Sequence, residues 1–304
     1  MSAEKTKNET RGVVFILLAG LLWGTISLFV RRLNALGLEA MQVVFIRVLL
    51  AAVLVLLLTL VKDRRLLRIR LRDIWCFLGS GICSILLFYT CYFHTIAHAS
   101  AAAAAVLLYT APVFVTLLSR LLFRERLTGR KLFACALAVV GCTLVSGLIE
   151  GGGNGLTLGT LATGLLSGFG YALYSIFGRY AVDRGYGSLT ITAWTFLIAA
   201  VCLAPFTDYG AIGAALAADA GTVVLFSLGI AVFVTVIPYL LYTAGLETVA
   251  SSRASIMASV EPVVASIVSV AVFGERLSLF GALGILLVLG AVVLLNLPQK
   301  IHNS

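Results

Sequence analysis

The sequence predicts an all-α membrane protein with ten transmembrane helices in two inverted five-helix repeats. Composition is the first observation: the 304 residues are 61% hydrophobic and 12% charged, with a mean hydropathy of +1.09. Soluble domains carry about 25% charged residues. The second observation is that the apolar residues form ten stretches long enough to cross a bilayer core. The third is an internal repeat that carries the same residues at a fixed offset.

The ten stretches are predicted to be helices, because backbone polar groups inside a bilayer have to be paired within the segment. They lie at residues 12–30, 41–61, 74–94, 101–121, 131–149, 156–178, 188–206, 221–243, 251–273 and 278–297. The connections between them are too short to hold a soluble catalytic domain. We therefore do not expect an enzyme.

The repeat is clearest in the segment Ser251–Arg276, which reads SSRASIMASVEPVVASIVSVAVFGER. The corresponding segment 150 residues upstream reads SAAAAAVLLYTAPVFVTLLSRLLFRER, where Pro112 matches Pro262. Further upstream the offset is 148, and Gly20 matches Gly168. Five spans per copy is an odd number, so the second copy enters the membrane from the opposite side. We predict repeats at 1–150 and 151–304.

The net charge of +9 is interpreted as a topology signal rather than as a nucleic-acid surface. With the N-terminus inside the cell, 18 of the 22 basic residues fall on the cytoplasmic side, many of them in the 62–73 and 122–131 connections. Basic connections stay on that side during insertion. We predict a multi-pass protein of the cytoplasmic (inner) membrane, with both termini in the cytoplasm and the 150–156 connection outside.

No metal, cofactor or disulfide is predicted. The six cysteines lie in apolar runs without a C-x-x-C pair, as expected of small buried side chains. His94 and His98 would share one helix face, but no acidic or cysteine companion lies nearby.

The two matched prolines predict a central cavity. Pro112 and Pro262 fall near the middle of their spans and kink them, because proline cannot donate to the carbonyl four residues earlier. Leu108 and Ala258 would then carry free carbonyls at mid-depth. Irregular backbone at that depth is tolerated where it is buried or lines a watery cavity, and inverted repeats place substrate sites there.

Glu261 is the predicted charged centre of this cavity. It lies about ten residues into its span, roughly 15 Å from either surface at 1.5 Å per residue. An unpaired carboxylate at that depth costs several kcal/mol. The acid is therefore protonated when the site is empty, solvated by cavity water, or paired with a cationic substrate. The first and third states together describe proton exchange for substrate; a protonated Glu261 bonded to a free carbonyl is the structural alternative.

Aromatic rings around Glu261 predict a small organic cation or zwitterion as substrate, because each ring face attracts a cation by roughly 0.5–2 kcal/mol. The alternatives are that Trp23 serves packing and that Tyr89 and Tyr239 belong to interfacial belts. The predicted aromatic site residues are Trp23, Tyr109 and Tyr171 near mid-depth, with Tyr89, Tyr174 and Tyr239 one or two turns away.

Arg47 lies in the second span, about six residues from its outer end. We interpret it as a residue that snorkels to the headgroups or makes a structural hydrogen bond, with a functional role as the alternative. No basic residue is expected at the depth of Glu261.

The paired segments LLYTAPVFVTLLSRLLFRERLT and SIMASVEPVVASIVSVAVFGERLS resemble those of the EamA transporters in the drug/metabolite transporter superfamily. The resemblance runs from Gly12 to about Leu297. It implies secondary transport by alternating access through a central cavity. Family members include amino-acid and metabolite exporters, and relatives import choline or exchange sugar-linked compounds. The first repeat departs from the Glu-Pro pair, since Ala111 precedes Pro112.

We therefore expect export of an amino acid, amine or quaternary ammonium compound by proton antiport. Import or facilitated movement of a small cation such as choline is one alternative, and a channel or scramblase is another. A channel would show rings or repeated filter sequences, which a single acid does not provide. The expected partners are the substrate, H⁺ and the lipid bilayer, with no nucleic acid; monomer and homodimer both remain open.

Overall fold

The computed structural model describes residues 2–150 and 157–297, with side chains from Asn8 onward. Within this part the chain is 86% helical and has no strand. Ten helical units are long and apolar enough to span a membrane, which confirms the predicted fold class. Spans 1 to 10 are Asn8–Asn34, Ala40–Leu67, Leu71–His98, Ala101–Phe123, Gly129–Glu150, Leu158–Asp183, Ser188–Phe206, Tyr209–Gly245, Ser251–Phe273 and Leu279–Asn296.

Spans 4 and 9 are each broken into two helices at mid-length. Span 4 consists of Ala101–Leu108 and Ala111–Phe123. Span 9 consists of Ser251–Ala258 and Glu261–Phe273. Each proline is the second residue of the second helix, where no intrahelical N–H bond is lost. The kinks predicted from the prolines are confirmed, and they are complete interruptions.

Three other spans are irregular. Span 1 is interrupted between its two helices Ser2–Trp23 and Ile26–Asn34. Spans 3 and 8 contain π-helical segments at Gly79–Leu86 and Val232–Val236, which overlap when the repeats are aligned at an offset of 150. Such segments widen a helix locally and occur often at functional sites.

The two halves interlock through glycines. A Cβ at Gly20 in span 1 would lie 3.1 Å from the Ala258 carbonyl oxygen at the break in span 9. A Cβ at Gly168 in span 6 would lie 3.2 Å from the Leu108 carbonyl oxygen at the break in span 4. Glycine is needed because the backbones touch. Spans 5 and 10 pack on each other in the same way through Gly141 and Gly284.

The two ends of the helix bundle are named by their residues. The arginine-rich side carries the connections at 64–73 and 124–128, and the far side carries those at 35–39 and 274–278. The 150–156 connection was predicted to lie outside the cell, but residues 151–156 lie outside the described part of the chain. The same holds for both chain ends, at residue 1 and residues 298–304.

Candidate functional site

An aromatic cluster occupies the middle of the bundle, where the break in span 1 meets spans 6 and 8. The Trp23 ring lies 5.2 Å from that of Tyr239, edge to face, and 5.4 Å from that of Tyr242. Tyr174 packs on Tyr239 with ring centres 4.9 Å apart. The structure thus brings together three predicted residues, Trp23, Tyr174 and Tyr239, and adds Tyr242.

A narrow cavity lies between these rings. It holds about 10 Å³, close to the room that one water molecule needs. In this conformation the space between the rings has no room for a larger molecule. The lining residues are Trp23, Ser84, Ile85, Phe88, Tyr171, Tyr174, Ser175, Tyr239 and Tyr242.

Phe88 connects this cavity to the remaining aromatic residues. Its ring centre lies 4.4 Å from that of Tyr89 and 5.5 Å from that of Tyr171. Tyr89 and Tyr239 are each 6% exposed, so the interpretation of these tyrosines as interfacial-belt residues is wrong. Sequence reasoning did not select Phe88 or Tyr242. Tyr242 corresponds to Tyr92 at the repeat offset of 150, which is a signal that could have selected it, whereas Phe88 has no signal beyond its position beside Tyr89.

Glu261 is the first residue of the second helix of span 9. The Tyr171 hydroxyl donates a hydrogen bond of 3.3 Å to its carboxylate. The partner is therefore a tyrosine hydroxyl, and not the free carbonyl that the structural alternative requires. Glu261 is partly exposed, while its neighbours Pro262 and Val263 are buried. It bonds the lining residue Tyr171 but does not itself line the cavity between the rings. A helix N-terminus also favours a negative charge, by about 0.3–1 kcal/mol at exposed sites.

Tyr109 completes the predicted set. It lies at the break in span 4 and packs in one cluster with Val260 and Val263, beside Glu261. Its hydroxyl and the Glu261 carboxylate interact electrostatically. All seven predicted site residues thus belong to one connected region at the centre of the bundle.

Arg47 does not snorkel, and that interpretation is wrong. The residue is 4% exposed, its Nε donates a 3.1 Å hydrogen bond to Thr235 Oγ1, and its guanidinium lies 5.7 Å from the centre of the Tyr89 ring. The reason is that residues 42–48 are buried on every side of the helix, which leaves no route to the headgroups. The bond to Thr235 is a hydrogen bond of the kind that the same interpretation offered, and the functional role that was the alternative stays a prediction.

No ion pair joins Glu261 to a basic residue within the described part of the chain, and the absence of a basic residue at its depth stays a prediction. The charges of Arg47 and Glu261 interact electrostatically across the site. Counting residues along a helix gives the depth of a Cα atom in the membrane. It does not show how far a long arginine side chain extends toward a neighbouring helix.

On the arginine-rich side of the site, Glu125 is the second residue after span 4 and contacts the start of span 9. Its carboxylate accepts hydrogen bonds from the Ser251 backbone N–H at 2.9 Å and from the Ser252 hydroxyl, both at the start of span 9. Lys131 Nζ lies 3.4 Å from the same carboxylate. We call this group the Glu125 contact. The adjoining halves of spans 4 and 9 pack directly against each other.

The far side differs although the repeat supplies the matching acid, Glu275. Its side chain is 49% exposed, against 13% for Glu125. It binds Ser269 and Arg31, and these hydrogen bonds lower the pKa of the Glu275 carboxyl. The far halves of spans 4 and 9 make at most marginal contact. The Glu125 contact thus joins spans 4 and 9 on the arginine-rich side, and no equivalent contact joins them on the far side of the described structure.

His94 and His98 stack at 4.1 Å on the exposed end of span 3, where His98 Nδ1 bonds the His94 carbonyl oxygen. The described residues contain no group of three candidate metal ligands.

The chain is similar to known proteins along almost its whole length. An uncharacterized transporter of Archaeoglobus fulgidus is 30% identical over 93% of this chain and 95% of its own length. The uncharacterized inner membrane transporter YicL of Salmonella typhimurium is 24% identical, over 95% of this chain and 96% of its own. The uncharacterized transporter YetK of Bacillus subtilis is 24% identical, over 84% and 78%.

A solved crystal structure superposes with a TM-score of 0.76 at 17% identity, covering 94% of this chain and 96% of the other, and it shows the same fold. The model of the EamA-like transporter family matches twice, at residues 10–147 and 158–297. These matches cover both halves of the chain, which therefore belongs to the EamA-like transporter family and is a membrane transporter.

Proposed function

We propose that the chain is a secondary transporter that exports a small metabolite with a positively charged nitrogen in exchange for a proton. The observation that carries this proposal is the position of Glu261. It stands at the broken middle of span 9, is partly exposed, and accepts a hydrogen bond from Tyr171, whose ring packs on Phe88. A carboxylate among aromatic faces is a site that suits a cation.

Proton coupling follows from competition for one acid. The titratable or charged groups whose electrostatic interactions reach Glu261 are Tyr89, Tyr92, Tyr109, Tyr171, Tyr239, Cys142 and Arg47. None of these groups is a carboxyl group, so Glu261 is the one carboxyl group of this set of interacting residues. A proton and a cationic substrate cannot both neutralise it, so each binds at the expense of the other. Such mutual exclusion is the requirement for antiport.

Alternating access is supported by the unequal ends of the bundle. Because basic connections favour the cytoplasm, we assign the arginine-rich side to the cytoplasm and the far side to the exterior. The Glu125 contact then closes the inner end, and the conformation faces outward. YicL is named an inner membrane transporter, which fits this location. Opening inward requires spans 4 and 9 to part at the Glu125 contact.

Reconstituted protein tests the proposal. Liposomes are screened for saturable, pH-gradient-driven flux with pooled amino acids, amines and choline. We expect Glu261→Gln, which keeps the shape but cannot ionise, to lose at least the pH dependence and most of the flux. Glu39→Gln makes the same change at an exposed carboxylate in the 35–39 connection, outside the site, and serves as the control. Parental rate and pH dependence in Glu261→Gln would show that Glu261 is structural and would refute the mechanism.

A further inference from the structure

We propose that Arg47 forms a carboxylate-binding subsite opposite Glu261, so that the substrate is a zwitterion with a carboxylate and an ammonium group. This inference rests on the proposed function, which places the ammonium group at Glu261. It narrows the substrate from any small organic cation to molecules of the amino-acid type.

The first argument is the unused hydrogen-bonding capacity of Arg47. A guanidinium has five N–H donors. In the described structure only Nε has a partner, the Thr235 hydroxyl. Neither terminal nitrogen bonds a described residue, and neither is sealed from accessible space. These terminal N–H groups form the edge that binds carboxylates in a bidentate manner.

The second argument is charge balance. The described residues place no carboxylate within 4.0 Å of Arg47, although the residue is buried. Burying a charge without a partner is costly. Glu261 likewise has only a tyrosine hydroxyl as a partner. A simple cation would neutralise Glu261 and leave Arg47 unpaired, whereas a zwitterion satisfies both charges at once.

The third argument is that each half of the chain supplies one of the two charges. Spans 2 and 7 begin at Ala40 and Ser188, an offset of 148, so Arg47 corresponds to Thr195. Glu261 corresponds to Ala111 at an offset of 150. The duplicated framework therefore has its two unpaired charges on opposite halves, with the aromatic cluster near both. This arrangement matches a ligand that has two different ends.

Thr235 is the positioning residue of the subsite. It lies in the π-helical segment of span 8, and its hydroxyl donates to the Ile230 carbonyl oxygen at 3.0 Å. The same hydroxyl accepts from Arg47 Nε. This chain of two bonds fixes the guanidinium by its inner nitrogen and leaves its terminal edge available.

The test compares probes that differ by one carboxyl group. Binding of the twenty L-amino acids to the purified transporter is measured beside that of the matching amines, such as leucine with isoamylamine and phenylalanine with phenethylamine. Parental protein is expected to bind at least one amino acid about 10- to 100-fold more tightly than its amine, the range expected for hydrogen bonds to a charged group. Arg47→Gln is expected to abolish this preference and to leave amine binding equal or stronger. Arg47→Lys should retain part of it.

Thr235→Val provides a second variant in case Arg47→Gln does not fold. It keeps the charge but releases the guanidinium, and it should weaken amino-acid binding several-fold while leaving amine binding unchanged. The subsite is refuted if the parental protein binds an amino acid and its matching amine with equal affinity. It is also refuted if either variant loses affinity for the amino acid and for the amine to the same extent. Saturable transport of amines or choline without amino acids would refute it as well, while leaving the proposed function intact. The absence of any saturable flux would refute both.

Discussion

The Glu125 carboxylate accepts a 2.9 Å hydrogen bond from the backbone N–H of Ser251, which joins the first half of the chain to the second. The repeat places Glu275 and Ala101 in the corresponding positions, yet no bond joins them in the described structure. Two sequence-equivalent pairs are thus in different states at the two ends of one bundle. The Glu125–Ser251 pair is bonded and the Glu275–Ala101 pair is not, which is the difference expected when an inverted repeat closes one end at a time.

Glu125→Gln should shift the protein toward an inward-open state. Hydrogen bonds to a charged group contribute about 1.5–3 kcal/mol, so their weakening should raise the inward-open population about tenfold. The measurement is labelling of Ser255→Cys, buried in the first helix of span 9, in a background without the six native cysteines. An impermeant thiol reagent is applied from the cytoplasmic side in inside-out vesicles.

Glu39→Gln is the matched control for that experiment and should leave the labelling rate unchanged, because its carboxylate is exposed in the 35–39 connection. Unchanged labelling in Glu125→Gln as well would mean that the Glu125 contact does not hold the inner end closed.

Trp23→Phe should weaken binding of a cationic substrate about two- to tenfold, because tryptophan attracts cations more strongly than phenylalanine. This substitution separates an effect on binding from an effect on stability better than Trp23→Ala does. Trp23 is buried, and removing a buried aromatic ring costs about 3–5 kcal/mol of stability. Substrate affinity and melting temperature are measured together. Trp75→Phe, the same change at the arginine-rich side, is the control; equal affinities in both variants would contradict an aromatic cation site.

Gly20→Ala and Gly168→Ala should each destabilise the fold by about 1–3 kcal/mol, because the added Cβ meets backbone of the opposite half. Thermal unfolding in detergent measures the effect. Gly290 in span 10 has open space where a Cβ would lie, so Gly290→Ala should be neutral. If all three variants unfold at the parental temperature, the two halves are not held together at these positions.

The proposed orientation is tested by labelling from outside intact cells. Asn154→Cys, in the connection outside the described residues, should react with an impermeant thiol reagent. Leu127→Cys, exposed in the 124–128 connection, should react only after permeabilisation. The reverse pattern would place both termini outside the cell.

The fold was predictable because its signals are local or repeated. Apolar stretches gave the ten spans, and Pro112 and Pro262 gave the breaks. Glu261 could be selected as an isolated acid in an apolar helix. Its contact with Tyr171 could not, because that distance depends on how spans 6 and 9 approach each other.

The features that the sequence did not reveal depend on where a side chain points and on how the spans pack against one another. Arg47 was misread because its position near a helix end does not show that every face of that end is buried. Glu125 was noted only as part of a repeated motif. Its hydrogen bonds to Ser251 and Ser252 depend on how the ends of spans 4 and 9 approach each other, which no local pattern in the sequence shows.

The glycine contacts bear on how the protein is synthesised. Gly20 in span 1 meets its partner only when span 9 emerges, more than 200 residues later. Until then the surface of span 1 around Gly20 lacks the part of span 9 that packs on it in the complete chain. The nascent first half therefore waits in the membrane in an incomplete state, and stalled or truncated chains should be substrates for membrane proteases even when every span has been inserted.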